Sequence, residues 1–198
     1  MTSIEQLLTD SIAASVALKQ KVLQTLTTEI RSAGDLLSRA YTSGNKAIFF
    51  GNGGSAADAQ HLAAELECRF AFDRPALPAL ALHANTSTLT AISNDYSYEQ
   101  LYARLLSAHA RPGDVAVALS TSGTSKNVIA AARLKEQLQI KLIALTGENG
   151  SALAPFADCV IAVPSKETPR IQEAHIMIGH VLCEWVEHSV FRGRGNVS

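Results

Sequence analysis

The chain has 198 residues, of which 47% are hydrophobic and 18% are charged, so it has enough apolar side chains to bury a substantial core. Its 17 Lys and Arg residues balance 18 Asp and Glu residues, which excludes the strong positive field of a nucleic-acid-binding or membrane-surface protein. The same composition excludes a disordered chain. We therefore expect one domain over residues 1–198, with no direct nucleic-acid partner and no membrane partner.

The cysteines and the amino-terminal residues indicate the compartment. Cys68, Cys159 and Cys183 are far apart and form no CxxC pair, and their odd number argues against a disulfide framework. The first residues lack the basic-then-apolar pattern of a signal peptide, and no apolar run approaches the ~20 residues of a membrane span. These features predict a cytoplasmic protein with reduced thiols.

The first quarter of the chain is predicted to be helical. Apolar residues three or four positions apart predict an amphipathic helix across residues 12–42 that ends near Gly44, after a shorter helix from Ser3 to about Ala14. Both helices precede the first strand, so their apolar stripe could pack against another subunit as readily as against the sheet. Residues 1–44 are therefore expected to form an amino-terminal helical segment.

From Lys46 onward, short apolar strands alternate with helical stretches. The predicted strands are Lys46–Phe50, Ala79–Leu82, Asp114–Leu119, Lys141–Thr146 and Cys159–Val163. The predicted helices are Ala56–Phe70, Tyr98–Ala110, Lys126–Leu138, Ala152–Phe156 and Pro169–Phe191. This alternation predicts an α/β fold, a doubly wound parallel five-stranded sheet between two helical layers over residues 45–191, with a solvated tail from Arg192 to Ser198. Ligands of such sheets bind at the carboxyl ends of the strands.

A glycine-rich segment, which we call the glycine loop, follows the first predicted strand as Gly51-Asn52-Gly53-Gly54-Ser55. Its backbone amides could approach a ligand closely, although a simple strand-to-helix turn explains the glycines equally well. Ser55 and Asp58 resemble a capping box for the next helix. The loop also fits GxGxxA, but the second strand leads into His83 without the acidic residue that would hold a ribose, and a GK[ST] ending is absent. Dinucleotide and P-loop nucleotide binding are therefore disfavoured.

A second segment, which we call the hydroxyl loop, follows the third predicted strand as Ser120-Thr121-Ser122-Gly123-Thr124-Ser125. Side-chain hydroxyls and the unpaired N–H groups at the beginning of a helix together suit a phosphate monoester. Helix capping alone requires one Ser or Thr rather than five. We therefore expect the hydroxyl loop to bind a phosphate, while Lys126 either adds charge to the site or points into solvent.

Three titratable residues have the chemistry of a metal site. His61 and Glu65 lie four residues apart on one face of the helix that follows the glycine loop. His180 lies in a long apolar run, which predicts that it is buried, and a buried histidine is most often a core residue. The three are nevertheless ligand types of a zinc site with an open position. Gln172 precedes His180 by about 12 Å of helix and is a weaker candidate ligand. The other polar residues of this helix are assigned to solvent or an interface: Glu173, His175, Glu184 and His188.

These segments together resemble the phosphoheptose isomerases of the sugar isomerase (SIS) domain superfamily. The likeness runs from about Lys46 to Glu187 and includes both loops. The further matching residues are His61, Glu65, Asn94-Asp95, Arg170-Ile171-Gln172-Glu173-x-His175 and His180. Without the resemblance, Asn94-Asp95 would be read as an Asx-rich turn. Some members carry an acidic residue before the Arg-Ile-Gln segment, where this chain has Thr168-Pro169, so any help from that carboxylate is absent here.

The resemblance implies an activity, a cofactor and an assembly. The implied reaction interconverts sedoheptulose 7-phosphate and D-glycero-D-manno-heptose 7-phosphate, for ADP- or GDP-heptose synthesis and lipopolysaccharide. The implied assembly is a cytoplasmic homotetramer with shared active sites and one Zn²⁺ per subunit. Glu65 and His180 are the implied acid–base pair. The implied zinc ligands are His61, Glu65, Gln172 and His180. The implied substrate-binding residues are Asn52, Gly53, Gly54, Ser55, His61, Glu65, Asn94, Asp95, Ser120, Thr121, Ser122, Ser125, Gln172 and His180.

The residue types suit an enediol route, in which a proton moves from C1 to C2 of a ketose phosphate. Glu65 suits the base near the carbons and His180 the acid near the oxygens. A zinc ion beside them could act as a Lewis acid, although a carboxylate bound to zinc is a poorer base.

Two alternatives share the loops and the fold. One is a non-enzymatic SIS protein that binds the bacterial replication initiator, and the other is a different sugar-phosphate isomerase or a sugar-phosphate sensor. The pairing of Glu65 with His180 favours an enzyme over the first alternative. The shape of the substrate pocket would distinguish a phosphoheptose isomerase from the second alternative.

Overall fold

The computed structural model describes residues 2–148 and 152–192. Its helices are α1 (Ile4–Thr25), α2 (Thr27–Thr42), α3 (Gly54–Glu67), α4 (Thr86–Asp95), α5 (Leu101–His109), α6 (Lys126–Ala132), α7 (Lys135–Leu138) and α8 (Thr168–Glu187). Its strands are β1 (Ala47–Gly51), β2 (Ala79–Ala81), β3 (Val115–Ser120), β4 (Lys141–Gly147) and β5 (Cys159–Val163). Two 3₁₀ turns and one π-helical turn lie at Tyr98–Gln100, Ala154–Phe156 and His188–Arg192.

The described strands form one parallel sheet in the order β2-β1-β3-β4-β5. The predicted doubly wound parallel sheet is therefore confirmed. All five residues of β1 and all six of β3 are buried, as expected for central strands covered on both faces. The winding direction reverses between the adjacent strands β1 and β3, and this switch point opens a crevice at their carboxyl ends.

Each face of the sheet has its own apolar layer. Phe49 and Val117 belong to the layer that packs against α1, α2, α3 and α8. Phe50 and Ala118 belong to the opposite layer, which packs against α4, α5 and α6. Neighbouring residues of a strand reach opposite layers because successive side chains alternate between the faces.

The break between the amino-terminal helices lies later than predicted. Helix α1 continues through the predicted boundary near Ala14 to Thr25, and its two buried residues, Leu18 and Val22, lie after that boundary. The break occurs at Leu26, between two threonines whose hydroxyls donate to backbone carbonyls one turn earlier. Such back-bonding threonines bend or end helices.

Three further predictions of secondary structure were wrong. Helix α4 was not predicted, although Asn85 caps it by accepting a hydrogen bond from the Thr88 N–H. The helix predicted over Lys126–Leu138 is split into α6 and α7, and the one predicted over Ala152–Phe156 is reduced to a 3₁₀ turn beginning at Ala154. Of the predicted tail, residues 193–198 lie outside the described residues.

The cysteines lie apart from one another, and all three are free. Cys68 is exposed, whereas Cys159 and Cys183 are buried. Burial raises the pKa of the Cys183 thiol to about 12, and the nearby carboxylate of Glu65 acts in the same direction. Cys183 is therefore a neutral core residue near neutral pH. Among the described helices, none combines the length and apolarity needed to cross a bilayer.

Candidate active site

The glycine and hydroxyl loops meet at the switch point of the sheet. Strand β1 ends at Gly51 and β3 ends at Ser120, and Gly51 is in register with Leu119. A β-carbon at Gly51 would lie 2.6 Å from the Leu119 carbonyl oxygen, so only glycine permits this approach. Both loops therefore border the crevice in which ligands of this fold class bind.

The capping box predicted for Ser55 and Asp58 is wrong. Helix α3 begins two residues earlier than predicted, at Gly54, after Gly53 with a φ of 57°, and no side chain caps it. Ser55 consequently lies inside the helix and is buried. Burial raises the pKa of the Asp58 carboxyl, while the charge of His61 acts in the opposite direction. The first N–H groups of α3 are thus left without a side-chain cap at the mouth of the crevice.

Gln172 lies against the glycine loop. A β-carbon at Gly54 would lie 2.5 Å from Gln172 Nε2 and 2.9 Å from Gln172 Cδ, so the carboxamide occupies the space that a side chain would need. The contact joins the start of α8 to the start of α3. A glycine at position 54 therefore allows the Gln172 side chain to approach the backbone this closely. The role of Gln172 as a metal ligand stays a prediction.

Asn52 connects the two loops through a network that includes residues missed by the sequence analysis. Asn52 and Asn127 exchange two amide hydrogen bonds of 2.9 Å, and the Tyr98 hydroxyl donates to Asn52 Oδ1 at 2.8 Å. Asn127 lies at the start of α6, directly after the hydroxyl loop, and is buried. The network joins Asn52 of the glycine loop to the start of α6, which follows the hydroxyl loop.

The hydroxyl loop is folded around its glycine. Gly123 has a φ of 64° and donates its N–H to the Ser120 carbonyl at 3.0 Å. The Ser120 hydroxyl donates to Ser125 Oγ at 3.1 Å, and Ser122 Oγ accepts from the Thr124 N–H at 3.2 Å. The Ser125 side chain precedes α6 but does not cap it. Uncapped amides and clustered hydroxyls are the donors that a phosphate accepts best.

His61, Glu65 and His180 come together although α3 and α8 are far apart in the chain. The Nε2 atoms of His61 and His180 are 2.9 Å apart, and His61 Nε2 is 3.2 Å from Glu65 Oε1. One ligand atom from each of the three lies within 4.8 Å of the others. His180 is half-buried and His61 is exposed, so the prediction that His180 is buried is wrong. The cluster is therefore accessible to solvent and does not belong to the core.

This cluster could hold a metal ion. Two imidazole nitrogens and a carboxylate oxygen are a donor set that divalent transition metals accept. Ligand atoms in a tetrahedral zinc site lie about 3.3 Å apart, given zinc–ligand bonds of ~2.0–2.1 Å. The separations of 2.9 and 3.2 Å involving His61 are close to that spacing.

Asn94 and Asp95 end α4 instead of forming the turn that their types suggest. Both are exposed, and Asn94 Nδ2 donates to Asp95 Oδ1 at 2.9 Å. The connection that follows carries Tyr98, which contacts Asn52. Their part in sugar binding stays a prediction.

His175 is buried, so its assignment to solvent or an interface is wrong. Its Nε2 lies 3.1 Å from the Thr146 carbonyl oxygen, and its side chain has no solvent exposure. Desolvation lowers the pKa of His175 to about 4, against the opposing effect of the hydrogen bond to Thr146. The imidazole is therefore neutral near pH 7 and joins α8 to β4.

Comparisons with known proteins agree with the observed fold. The SIS domain family model matches residues 12–147. The phosphoheptose isomerase of Mycobacterium bovis is 50% identical over 182 residues, which are 91% of this chain and 93% of that protein. The solved phosphoheptose isomerase of Neisseria gonorrhoeae is 37% identical with a TM-score of 0.88, and covers 93% of this chain and 99% of its own. That of Francisella tularensis is 33% identical with a TM-score of 0.90, and covers 95% and 100%.

Proposed function

Because the chain belongs to the SIS domain family, and within it to the phosphoheptose isomerases, we propose that it converts sedoheptulose 7-phosphate into D-glycero-D-manno-heptose 7-phosphate. The chain is thus an aldose–ketose isomerase of heptose biosynthesis. The observation that carries the chemistry is the approach of Glu65 and His180 to within 4.8 Å of each other. Relatives that share half of the sequence bear the isomerase name, which favours this activity over initiator binding or sugar-phosphate sensing.

The hydroxyl loop is the proposed phosphate site. Ser120, Thr121, Ser122 and Ser125 supply hydroxyls, and the uncapped start of α6 supplies N–H groups. The other end of the substrate extends along the glycine loop, where the proposed contacts are Asn52, Gly53, Gly54, Ser55, Asn94 and Asp95. Binding the phosphate at one end fixes the distance to the reacting carbons, so orientation contributes to the rate.

Glu65 and His180 are the proposed acid–base pair. The Glu65 carboxylate takes the proton from C1 of the ketose and returns it to C2 of the enediol. His180 gives a proton to the C2 oxygen as the enediol forms, and it takes the proton of the C1 hydroxyl as the C1 carbonyl forms, so both residues return to their starting states. Glu65 is partly exposed, so a substrate carbon could reach its carboxylate.

The proposed cofactor is one Zn²⁺ per subunit, with His61, Glu65, Gln172 and His180 as ligands. The mixed nitrogen and oxygen donors of the first, second and fourth residues fit zinc. Gln172 contacts Gly54, the first residue of α3, and its inclusion among the ligands rests on the resemblance to the family. When bound, zinc supplies Lewis-acid stabilisation of negative charge on the sugar oxygens. His61 binds and orients without taking part in proton transfer.

The exposed face of α1 supports the proposed homotetramer. Its large apolar side chains are between 49% and 72% exposed, and they are Ile4, Leu7, Leu8, Ile12, Val16 and Leu23. Beside them lies an apolar groove of about 510 Å³ that includes Val22, Met177 and Trp185. A contiguous apolar face of this kind is typical of a subunit interface. The free cysteines accord with a cytoplasmic location.

The test is incubation of the purified protein with sedoheptulose 7-phosphate, with and without added zinc, followed by detection of heptose 7-phosphate. The proposal expects turnover that falls after chelation and returns with zinc. Ribulose 5-phosphate and fructose 6-phosphate serve as control ketose phosphates. Faster turnover of either control would contradict the substrate assignment, and no turnover of any ketose phosphate would contradict the enzyme assignment.

A further inference from the structure

A buried ion pair lies behind the candidate active site. Arg74 Nε donates to Glu187 Oε1 at 2.9 Å, and the two side chains are 1% and 0% exposed. Arg74 belongs to the connection between α3 and β2, and Glu187 is the last residue of α8. Burying two charged side chains has a desolvation cost, which is offset only if their remaining polar atoms are also hydrogen-bonded.

Arg74 binds the end of α3. Its Nη2 donates to the Glu65 carbonyl oxygen at 2.8 Å, and its Nη1 donates to the Leu66 carbonyl oxygen at 2.5 Å. These carbonyls belong to the last turn of α3, where helical partners are missing. The guanidinium therefore fixes the turn that carries the proposed base.

Glu187 binds the backbone that follows α3. Its two carboxylate oxygens accept the N–H groups of Phe70 and Ala71 at 2.7 and 2.8 Å. Burial alone would raise the pKa of Glu187, but these N–H groups and Arg74 outweigh it and lower the pKa. The charged carboxylate thereby fixes the position of Phe70.

Phe70 places its ring against His180. The two ring centroids are 5.4 Å apart and the rings are inclined by 40°. Within the described part of the chain, the His180 imidazole makes one hydrogen bond, to His61, whose ring centroid is 5.1 Å away. Hydrogen bonding to His61 leaves the ring free to tilt, so the aromatic contact restricts its plane.

We propose that Phe70 is a positioning residue that holds the His180 imidazole in its working orientation, and that Arg74 and Glu187 hold Phe70 in place. The inference rests on the proposed isomerase function. A proton donor displaced by a fraction of an ångström loses much of its effect, whereas the phosphate and sugar contacts lie elsewhere. Loss of the Phe70 ring should therefore lower kcat more than it raises KM.

The chain provides a matched control two residues away. Phe72 lies in the same connection, but its ring contacts His188 at 5.8 Å and Arg192 at 4.3 Å, away from the proposed acid. Phe70→Leu is expected to lower kcat about tenfold while KM changes by less than about twofold. Phe72→Leu should leave both constants within about twofold, and Phe70→Tyr, which keeps the ring, should restore most of kcat.

A spectroscopic measurement separates failure of this inference from failure of the proposed function. In full-length protein labelled with ¹³C-histidine, the His180 ring signals are assigned by their loss in His180→Gln. Phe70→Leu should shift these signals, because an adjacent aromatic ring changes their chemical shift, and Phe72→Leu should not.

A wild-type protein without isomerase activity would contradict the proposed function. The positioning role of Phe70 would then be tested by the His180 signals of Phe70→Leu and Phe72→Leu alone. Unchanged His180 signals and unchanged kcat in Phe70→Leu would overturn the inference. Equal losses of kcat in Phe70→Leu and Phe72→Leu would also overturn it, because a general disturbance of the connection between α3 and β2 would then explain both losses.

Discussion

Buried His175 should make stability depend on pH in a defined window. Its pKa is lowered from 6.5 to about 4, because burial disfavours the charged imidazole. The unfolded chain binds a proton near pH 6.5 and the folded chain does not, so the stabilisation is fully present above pH 6.5 and is lost as pH falls toward 4. The full difference corresponds to about 3 kcal/mol in the free energy of unfolding, and most of it is lost by pH 4.5.

His175→Gln tests this contribution. Glutamine can still donate an N–H toward the Thr146 carbonyl, but it does not titrate. Urea unfolding of both proteins is measured at pH 7.5 and pH 4.5 and at one protein concentration, so that other titrating groups cancel in the comparison. The wild type should lose about 2 to 3 kcal/mol more than the variant on acidification. The same loss in both proteins would refute the reasoning.

Further predictions concern the loops and the assembly. Gly54→Ala would drive a β-carbon into Gln172 and should weaken zinc binding about tenfold, as measured by chelator competition; unchanged affinity would contradict Gln172 as a ligand. Asn127→Ala removes the partner of Asn52 and should lower kcat/KM about tenfold with the fold retained; wild-type kinetics would contradict the network. Leu8→Glu introduces charge on the exposed apolar face of α1 and should shift the assembly to smaller species in light scattering; an unchanged mass would place the interface elsewhere.

The sheet could be predicted because central parallel strands are apolar along their whole length. Strands β1, β3, β4 and β5 appeared in the sequence as separate apolar runs, and their order along the chain fixed the class of fold. Helix α4 could not be predicted in the same way. Its residues Thr86–Asp95 are rich in Ser and Thr, which have weak helix propensity. Ile92 is its one buried residue, so the helix has no periodic apolar pattern.

The candidate site was only partly accessible to sequence analysis. His61 and Glu65 share a helical face, so their proximity follows from spacing alone. His180 joins them through tertiary packing across 119 positions, so its ligand chemistry and the resemblance to a family indicated it, whereas spacing along the chain did not. Phe70 and Glu187 carry no local signal, because their contacts depend on how α8 packs against the connection after α3.

The assignment of Glu65 as the base is the claim on which the rest depends. Its most direct test is the initial rate of isomerisation by Glu65→Gln together with the affinity for sedoheptulose 7-phosphate, measured by calorimetry on the same preparation. We expect the rate to fall by at least about a hundredfold while binding is retained, because glutamine keeps the shape of the side chain but cannot accept the proton. A variant that isomerises the sugar at the wild-type rate would contradict this account.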